Sequence, residues 1–183
     1  METFIRDVDA LVREVHDEHE LTARVADLLA GLLAGGHRLP PEVTRPVAGR
    51  HVNYPLHIAP DESWCLVSVV WDAGRRTPVH GHETWGVAGV YAGAERETRY
   101  VKPVEPGRPL TPAGEQVWRR GQVTVCCTTD DDVHAVEAAG DGPTVGLHVY
   151  GGNLGTLRRR AYDPDTGEVS WFVSGWDSPA GQP

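Results

Sequence analysis

From about residue 50 the chain is cut into short β-rich runs, and that segmentation constrains the fold more than any single motif. The runs are Trp64–Trp71, Gly86–Tyr91, Thr98–Val101, Gln116–Trp118, Val123–Cys127, Val133–Val136, Thr144–Tyr150 and Ser170–Val173. Clusters of Gly, Pro and Asp separate them, at Asp72-Ala73-Gly74, Pro103–Pro112, Gly140–Pro143 and Asp163–Gly167. About eight short strands with turns between them predict a closed sandwich or barrel.

The first third has a different period. Phe4, Val8, Leu11, Val12 and Val15 recur at three- and four-residue spacing, and Leu21, Val25, Leu28, Leu29 and Leu32 repeat the pattern. Gly35-Gly36 ends the second helix and Pro40-Pro41 prevents its resumption. Two such helices serve to cover a sheet. A length of 183 residues suits one domain, with a helical segment over 1–45 and a β core over 50–175. The last dozen residues, ending Ser178-Pro179-Ala180-Gly181-Gln182-Pro183, are expected to fray.

A net charge of −9 argues against nucleic acid or an anionic membrane surface as partner, because both need a basic face. It leaves room for a local basic pocket. Cys65, Cys126 and Cys127 are odd in number and lack Cys-x-x-Cys spacing, so they read as buried thiols of a reducing compartment. The N-terminus is acidic and amphipathic, and no apolar run approaches the ~20 residues of a membrane span. The expectation is a cytoplasmic protein. Its oligomeric state is left open.

Chemistry concentrates in Pro78-Val79-His80-Gly81-His82. Thr77, Val79, Val87, Val90 and Tyr91 around it favour strand. Histidines one residue apart on an extended segment point the same way, within reach of one metal ion. His134, in a second β-like run, is the third candidate ligand, and His148 lies in Leu147-His148-Val149-Tyr150. His16, His19, His37 and His51 read as ordinary surface or core histidines. Iron and zinc both accept imidazole, and three neutral histidines leave open positions for catalysis.

This spacing resembles the first motif of the cupin superfamily: Gly, five residues, His-x-His, three or four residues, Glu, six residues, Gly. Gly74, His80, His82 and Gly93 fit, and the carboxylate position falls on Gly86. Glu83 follows His82 directly and points to the other face, so it does not replace that ligand. Loss of the carboxylate within this frame resembles the thiol dioxygenases, the cysteine dioxygenase and 3-mercaptopropionate dioxygenase family. Asp132-Val133-His134-Ala135-Val136-Glu137 and Leu147-His148-Val149-Tyr150-Gly151-Gly152 look like that family's later strands. The likeness runs from about residue 50 to 172, and Trp85-Gly86-Val87 brings it nearer the bacterial mercaptopropionate-type branch.

The resemblance implies an all-β cupin jelly-roll barrel with two N-terminal α-helices packed outside. It implies Fe(II) held by His80, His82 and His134, and a small-molecule thiol and O2 as reactants. Animal relatives carry a cross-linking cysteine where Gly86 stands, so no cross-link is expected. His148 and Tyr150 correspond to the last two members of a Ser-His-Tyr relay, with Gly146 in place of the serine and Thr144 a possible substitute. Tyr150 would donate a hydrogen bond at the site or to the substrate's polar end. The family's carboxylate-holding residue falls near Asn53; Arg75, Arg76 and Arg158–Arg160 are further candidates, and Trp85 shapes the pocket wall or packs in the core.

The implied product is a sulfinate, from a mercapto acid such as 3-mercaptopropionate. Cysteine or a larger thiol such as ergothioneine is the alternative substrate. A three-histidine cupin using another metal, or a non-catalytic cupin that senses a metabolite, is the alternative class.

Overall fold

The computed structural model describes residues 1–102, 107–128 and 132–179. Two helices lead: α1 (Glu2–Glu14) and α2 (Glu18–Ala34). Asp17 caps α2 by accepting the Glu20 N–H at 2.8 Å, and Gly35 closes it. The strands follow as β1 (His51–Ile58), β2 (Cys65–Trp71), β3 (Val79–His80), β4 (Gly86–Ala92), β5 (Ala94–Val101) and β6 (Thr111–Arg119). The remainder are β7 (Val123–Cys127), β8 (His134–Ala138), β9 (Thr144–Tyr150), β10 (Arg159–Tyr162) and β11 (Val169–Phe172).

They form two antiparallel sheets, one ordered β1-β2-β9-β4-β7 and the other β11-β10-β3-β8-β5-β6. From β2 onward the chain crosses between sheets at most connections: β2 lies in the first, β3 in the second, β4 in the first, β5 and β6 in the second. Then β7, β8, β9 and β10 alternate again. That winding is a double-stranded β-helix, so the expected jelly roll with two helices outside is the fold of this chain.

The first sheet is buried on both faces, because the helices cover one and the second sheet covers the other. Leu66, Val87, Leu147 and Val149 point outward beneath Phe4, Val8, Val25 and Leu29 of the helices. Each such buried side chain is worth about 1.5–3 kcal/mol relative to exposure. Trp64 Nε1 donates to Asp9 Oδ1 at 2.7 Å, tying α1 to the sheet. Gly89 lets α2 approach: a Cβ there would lie 2.8 Å from Leu33 Cδ1. The alternate residues Cys65, Val67, Val69, Trp71 and Tyr150 point into the barrel.

Three strands lie outside the eight predicted runs, although the segment that holds β3 is read as extended around the histidine pair. β1 contains Pro55, which has no N–H, and it is tolerated because β1 is a sheet edge with a register shift between Pro55 and His57. β3 is only two residues long, and β10 hides in an arginine run. The tail also departs from expectation. Trp176 Nε1 donates to Asn153 Oδ1 at 3.1 Å, and the Asp177 N–H donates to the Asn53 carbonyl at 2.9 Å. Residues through Asp177 are therefore pinned to the barrel rather than frayed. Within the cluster expected to turn over Pro103–Pro112, residues 103–106 lie outside the described part, as do 180–183 of the tail, and β6 begins at Thr111. Among the described residues no helix is long and apolar enough to cross a membrane.

Candidate metal centre

His80 ends β3, His134 begins β8, and the two are register partners across the antiparallel pair. His82 follows two residues after His80, beyond the strand end. The three ring centroids lie 4.8, 5.0 and 5.0 Å apart. One nitrogen from each comes within 4.8 Å of the others, and all three residues are buried. The site is thus built by two strand ends that the barrel brings together.

The surrounding groups fix which nitrogen faces inward. His80 Nδ1 lies 2.9 Å from the Pro78 carbonyl, and His134 Nδ1 lies 2.8 Å from Glu97 Oε1. Both partners are acceptors, so both Nδ1 atoms carry the hydrogen and each Nε2 keeps a lone pair for a metal. His82 Nδ1 is buried with no hydrogen-bond partner among the described residues. Burial pushes the His80 and His82 imidazoles well below the ordinary histidine range, and neighbouring imidazoles and Arg159 push the same way. They are held neutral, as a metal ligand must be. Burial raises the Glu97 carboxyl, but its contacts with His134, Arg99 and Trp118 outweigh that and hold it low. Three buried imidazoles, two of them oriented through Nδ1 and the third with an orphaned Nδ1, fit a divalent transition metal.

The nearby carboxylates are committed elsewhere. Asp132 Oδ2 accepts the backbone N–H groups of His82 and Glu83 at 3.1 and 3.2 Å, and its Oδ1 accepts from Lys102 Nζ at 2.8 Å. Gly81 is required by this bracket, since a Cβ there would fall 2.5 Å from Asp132 Oδ2. Glu83 takes a left-handed backbone at φ 59° and its carboxylate accepts two hydrogen bonds from Arg160, at 2.7 and 2.6 Å. Among the described residues the ligand group consists of imidazoles alone.

Tyr150, the last residue of β9, stacks on His82 with centroids 4.7 Å apart. Its hydroxyl lies 2.9 Å from His148 Nδ1. Gly86 is the register partner of Tyr150 and offers no side chain to its ring. Thr144 does not replace the missing serine: its hydroxyl donates to the Ala94 carbonyl at 2.8 Å. The group facing His148 Nε2 is instead Glu95, whose Oε2 is 3.6 Å away.

Two connected cavities open onto the histidines. The inner one, about 40 Å³, touches His80, His82, His134, His148 and Tyr150. The outer one, about 500 Å³, is lined by Arg50, Arg75, Arg76 and Asp177 among others. Asn53, His51, Thr77, His80, Arg159 and Ser174 line both. Arg159 is 4% exposed, with its guanidinium over the Phe172 ring at 4.7 Å and Nη2 hydrogen-bonded to Ser174 Oγ.

The structure therefore gathers His80, His82, His134, His148, Tyr150 and Asn53, with Arg75 out at the mouth. It does not bring Trp85 to the pocket: Trp85 packs with Trp64, Val87 and Val149 beneath the helices. Neighbouring Gly86 faces in, so alternation sends Trp85 out. Residues that sequence reasoning passed over are Glu95, Glu97, His51 and Ser174. Arg159 was one candidate in a run of three; Arg158 and Arg160 flank Trp171 outside at 5.0 and 5.8 Å, and only Arg159 faces in. Period-two reading of Ala94–Val101 separates Glu95 and Glu97 from Arg96, but alternating charges look like a solvated face. Cys65 and Cys126 are buried, and burial pushes the Cys65 thiol up to about 11; the Cys127 side chain lies outside the described part.

No protein-family model matches this chain. Among solved structures it is similar to a double-stranded β-helix domain protein from Klebsiella pneumoniae, with TM-score 0.48 and 12% identity over 77% of this chain and 93% of that one. A cupin-like protein from Thermotoga maritima gives TM-score 0.42 and 18% identity over 69% and 79%. An oxalate oxidase in complex with glycolate gives 0.45 and 15% over 58% and 53%. These are likenesses of the barrel, whose identity as a two-sheet β-helix rests on the strand orders above.

Proposed function

We propose that this protein is a non-haem iron(II) dioxygenase that oxidises a small anionic thiol to its sulfinate in the cytoplasm. A mercapto acid such as 3-mercaptopropionate is the substrate class. The observation that carries the reading is a ligand group of three buried imidazoles, with Asp132, Glu83 and Glu97 each engaged by other partners.

Iron(II) held by three neutral ligands would keep its full charge, lower the pKa of a bound thiol and give thiol and dioxygen adjacent positions. Overall, a thiolate and O2 give a sulfinate: both oxygen atoms bond to sulfur, and sulfur supplies all four electrons. No other reductant is consumed. Arg159, buried between the two cavities, supports an anionic substrate, because a guanidinium pairs with carboxylate through two parallel hydrogen bonds. Arg50, Arg75 and Arg76 give the outer cavity a positive mouth on an acidic chain. Asn53 lines the same two cavities as Arg159 and would offer its amide to a substrate bound there. The narrow inner cavity admits little water beside the reacting sulfur. Tyr150, stacked on His82 and bonded to His148, presents a hydroxyl oxygen there.

The test is oxygen uptake by protein loaded anaerobically with ferrous iron, across 3-mercaptopropionate, cysteine, cysteamine, mercaptosuccinate and ergothioneine, with products identified by mass spectrometry. One carboxylate-bearing thiol consumed one-to-one with oxygen, and cysteamine left alone, is the expected result. Silence across the panel with iron bound would overturn the reading.

A further inference from the structure

β5 turns two carboxylates into the barrel two positions apart, and each meets an imidazole. Glu97 closes on His134 Nδ1 at 2.8 Å. Glu95, 3% exposed, stops with Oε2 at 3.6 Å from His148 Nε2. His148 Nε2 and Glu95 Oε1 are both buried with no hydrogen-bond partner among the described residues. Buried polar atoms are rarely left so, and the carboxylate faces the ring nitrogen through its other oxygen, Oε2. A closure of several tenths of an ångström makes the bond.

Gly146 is what lets them meet. A Cβ at that position would overlap Glu95 Oε1 and lie 2.5 Å from His148 Nε2 and 2.9 Å from its Cδ2. A serine at 146 and a carboxylate at 95 compete for one space. The glycine that looks like a lost relay member is room made for a different one.

We infer that Glu95 is a positioning residue that sets the tautomer of His148 and, through it, the direction of the Tyr150 proton. A serine hydroxyl can donate or accept, so it permits either imidazole tautomer. A carboxylate accepts only. Glu95 takes the Nε2–H of His148, and Nδ1 becomes the acceptor for the Tyr150 hydroxyl at 2.9 Å. Tyr150 then turns its oxygen lone pairs toward the metal side. That reverses the donor role expected from the resemblance, and a substrate bound there meets an acceptor in place of a donor. This consequence for substrate rests on the proposed function; the tautomer does not.

Long-range proton–nitrogen NMR of the metal-free protein, above the histidine titration range, reads the tautomer directly. Wild-type His148 is expected to carry its hydrogen on Nε2. Glu95→Gln, nearly isosteric, offers an amide N–H and should move that hydrogen toward Nδ1. Gly146→Ser, which leaves the carboxylate but separates it from the ring, should release the constraint and let both tautomers populate. In the iron-loaded protein both variants should keep their iron and lose about ten- to a hundred-fold in kcat with little change in KM. A wild-type hydrogen on Nδ1, or an unchanged tautomer in both variants, would overturn the assignment. A tautomer change in a protein that oxidises no thiol would refute the proposed function and leave Glu95 in its place.

Discussion

Leu147 and His148 are adjacent in the chain and belong to two different problems. The outward face of the five-stranded sheet, with Leu66, Val87, Leu147 and Val149, is largely apolar and covered by α1 and α2. The inward face mixes Cys65, Val67, Val69 and Trp71 with His148 and Tyr150 and leaves cavities in the barrel. One face stores the stability that the other gives up. Three of the buried polar atoms without a hydrogen-bond partner among the described residues, His82 Nδ1, Glu95 Oε1 and His148 Nε2, lie on the inner side. Sheet alternation lets a single strand serve both without compromise, because successive side chains never share a face.

Substitutions should split along that division. The largest effect is expected from His80→Ala, His82→Ala or His134→Ala: each should abolish stoichiometric iron binding and all turnover while far-ultraviolet circular dichroism stays native. Full iron occupancy in any of the three would remove that residue from the centre. Tyr150→Phe should keep its iron and slow turnover by about ten- to a thousand-fold. Unchanged kinetics would take Tyr150 out of the mechanism. Arg159→Met should raise KM for a carboxylate-bearing thiol by about ten- to a hundred-fold, the worth of a buried charge-assisted contact, with iron retained. An unaltered KM would move recognition to Asn53 or the arginines at the mouth.

The outer face should behave oppositely. Leu147→Ala should lower unfolding free energy by about 2–5 kcal/mol, measured by denaturant titration, with iron stoichiometry and KM at wild-type values. A loss of iron there would mean the two faces are mechanically coupled. Acid gives the mildest probe. His80 and His82 have folded pKa values below the unfolded 6.5, so the unfolded chain binds more protons in that window. The metal-free protein should therefore lose stability as pH falls below about 6.5 and be insensitive just above it. A melting temperature flat across that range would show that the imidazoles are not held neutral.

The same division governs how much was legible beforehand. The outer layer is written in periods: leucines and valines at helical spacing in α1 and α2, and β runs such as Trp64–Trp71 and Thr144–Tyr150, which match strands almost to the residue. The His-x-His pair and His134 stood out because histidine one residue apart on a strand has few structural uses. What stayed hidden depends on contacts between distant segments. Glu95 and Glu97 face in only because β5 lies beside β8, and Arg159 because β10 pairs with β3. Glu95 reaches His148 across the space that Gly146 vacates. Trp85 went to the outer layer because strand phase, not aromatic character, decides its side. The tail was judged by composition, whereas Asp177 is held by the Asn53 backbone N–H at 2.8 Å and by Arg50 at 3.0 Å.

The most direct test of the central claim is the isotopic content of the product made by iron-loaded protein from a mercapto acid under heavy-oxygen gas in ordinary water. Both oxygens of the sulfinate should carry the label. A product with one labelled oxygen or none, or a disulfide in place of the sulfinate, would contradict a three-histidine thiol dioxygenase.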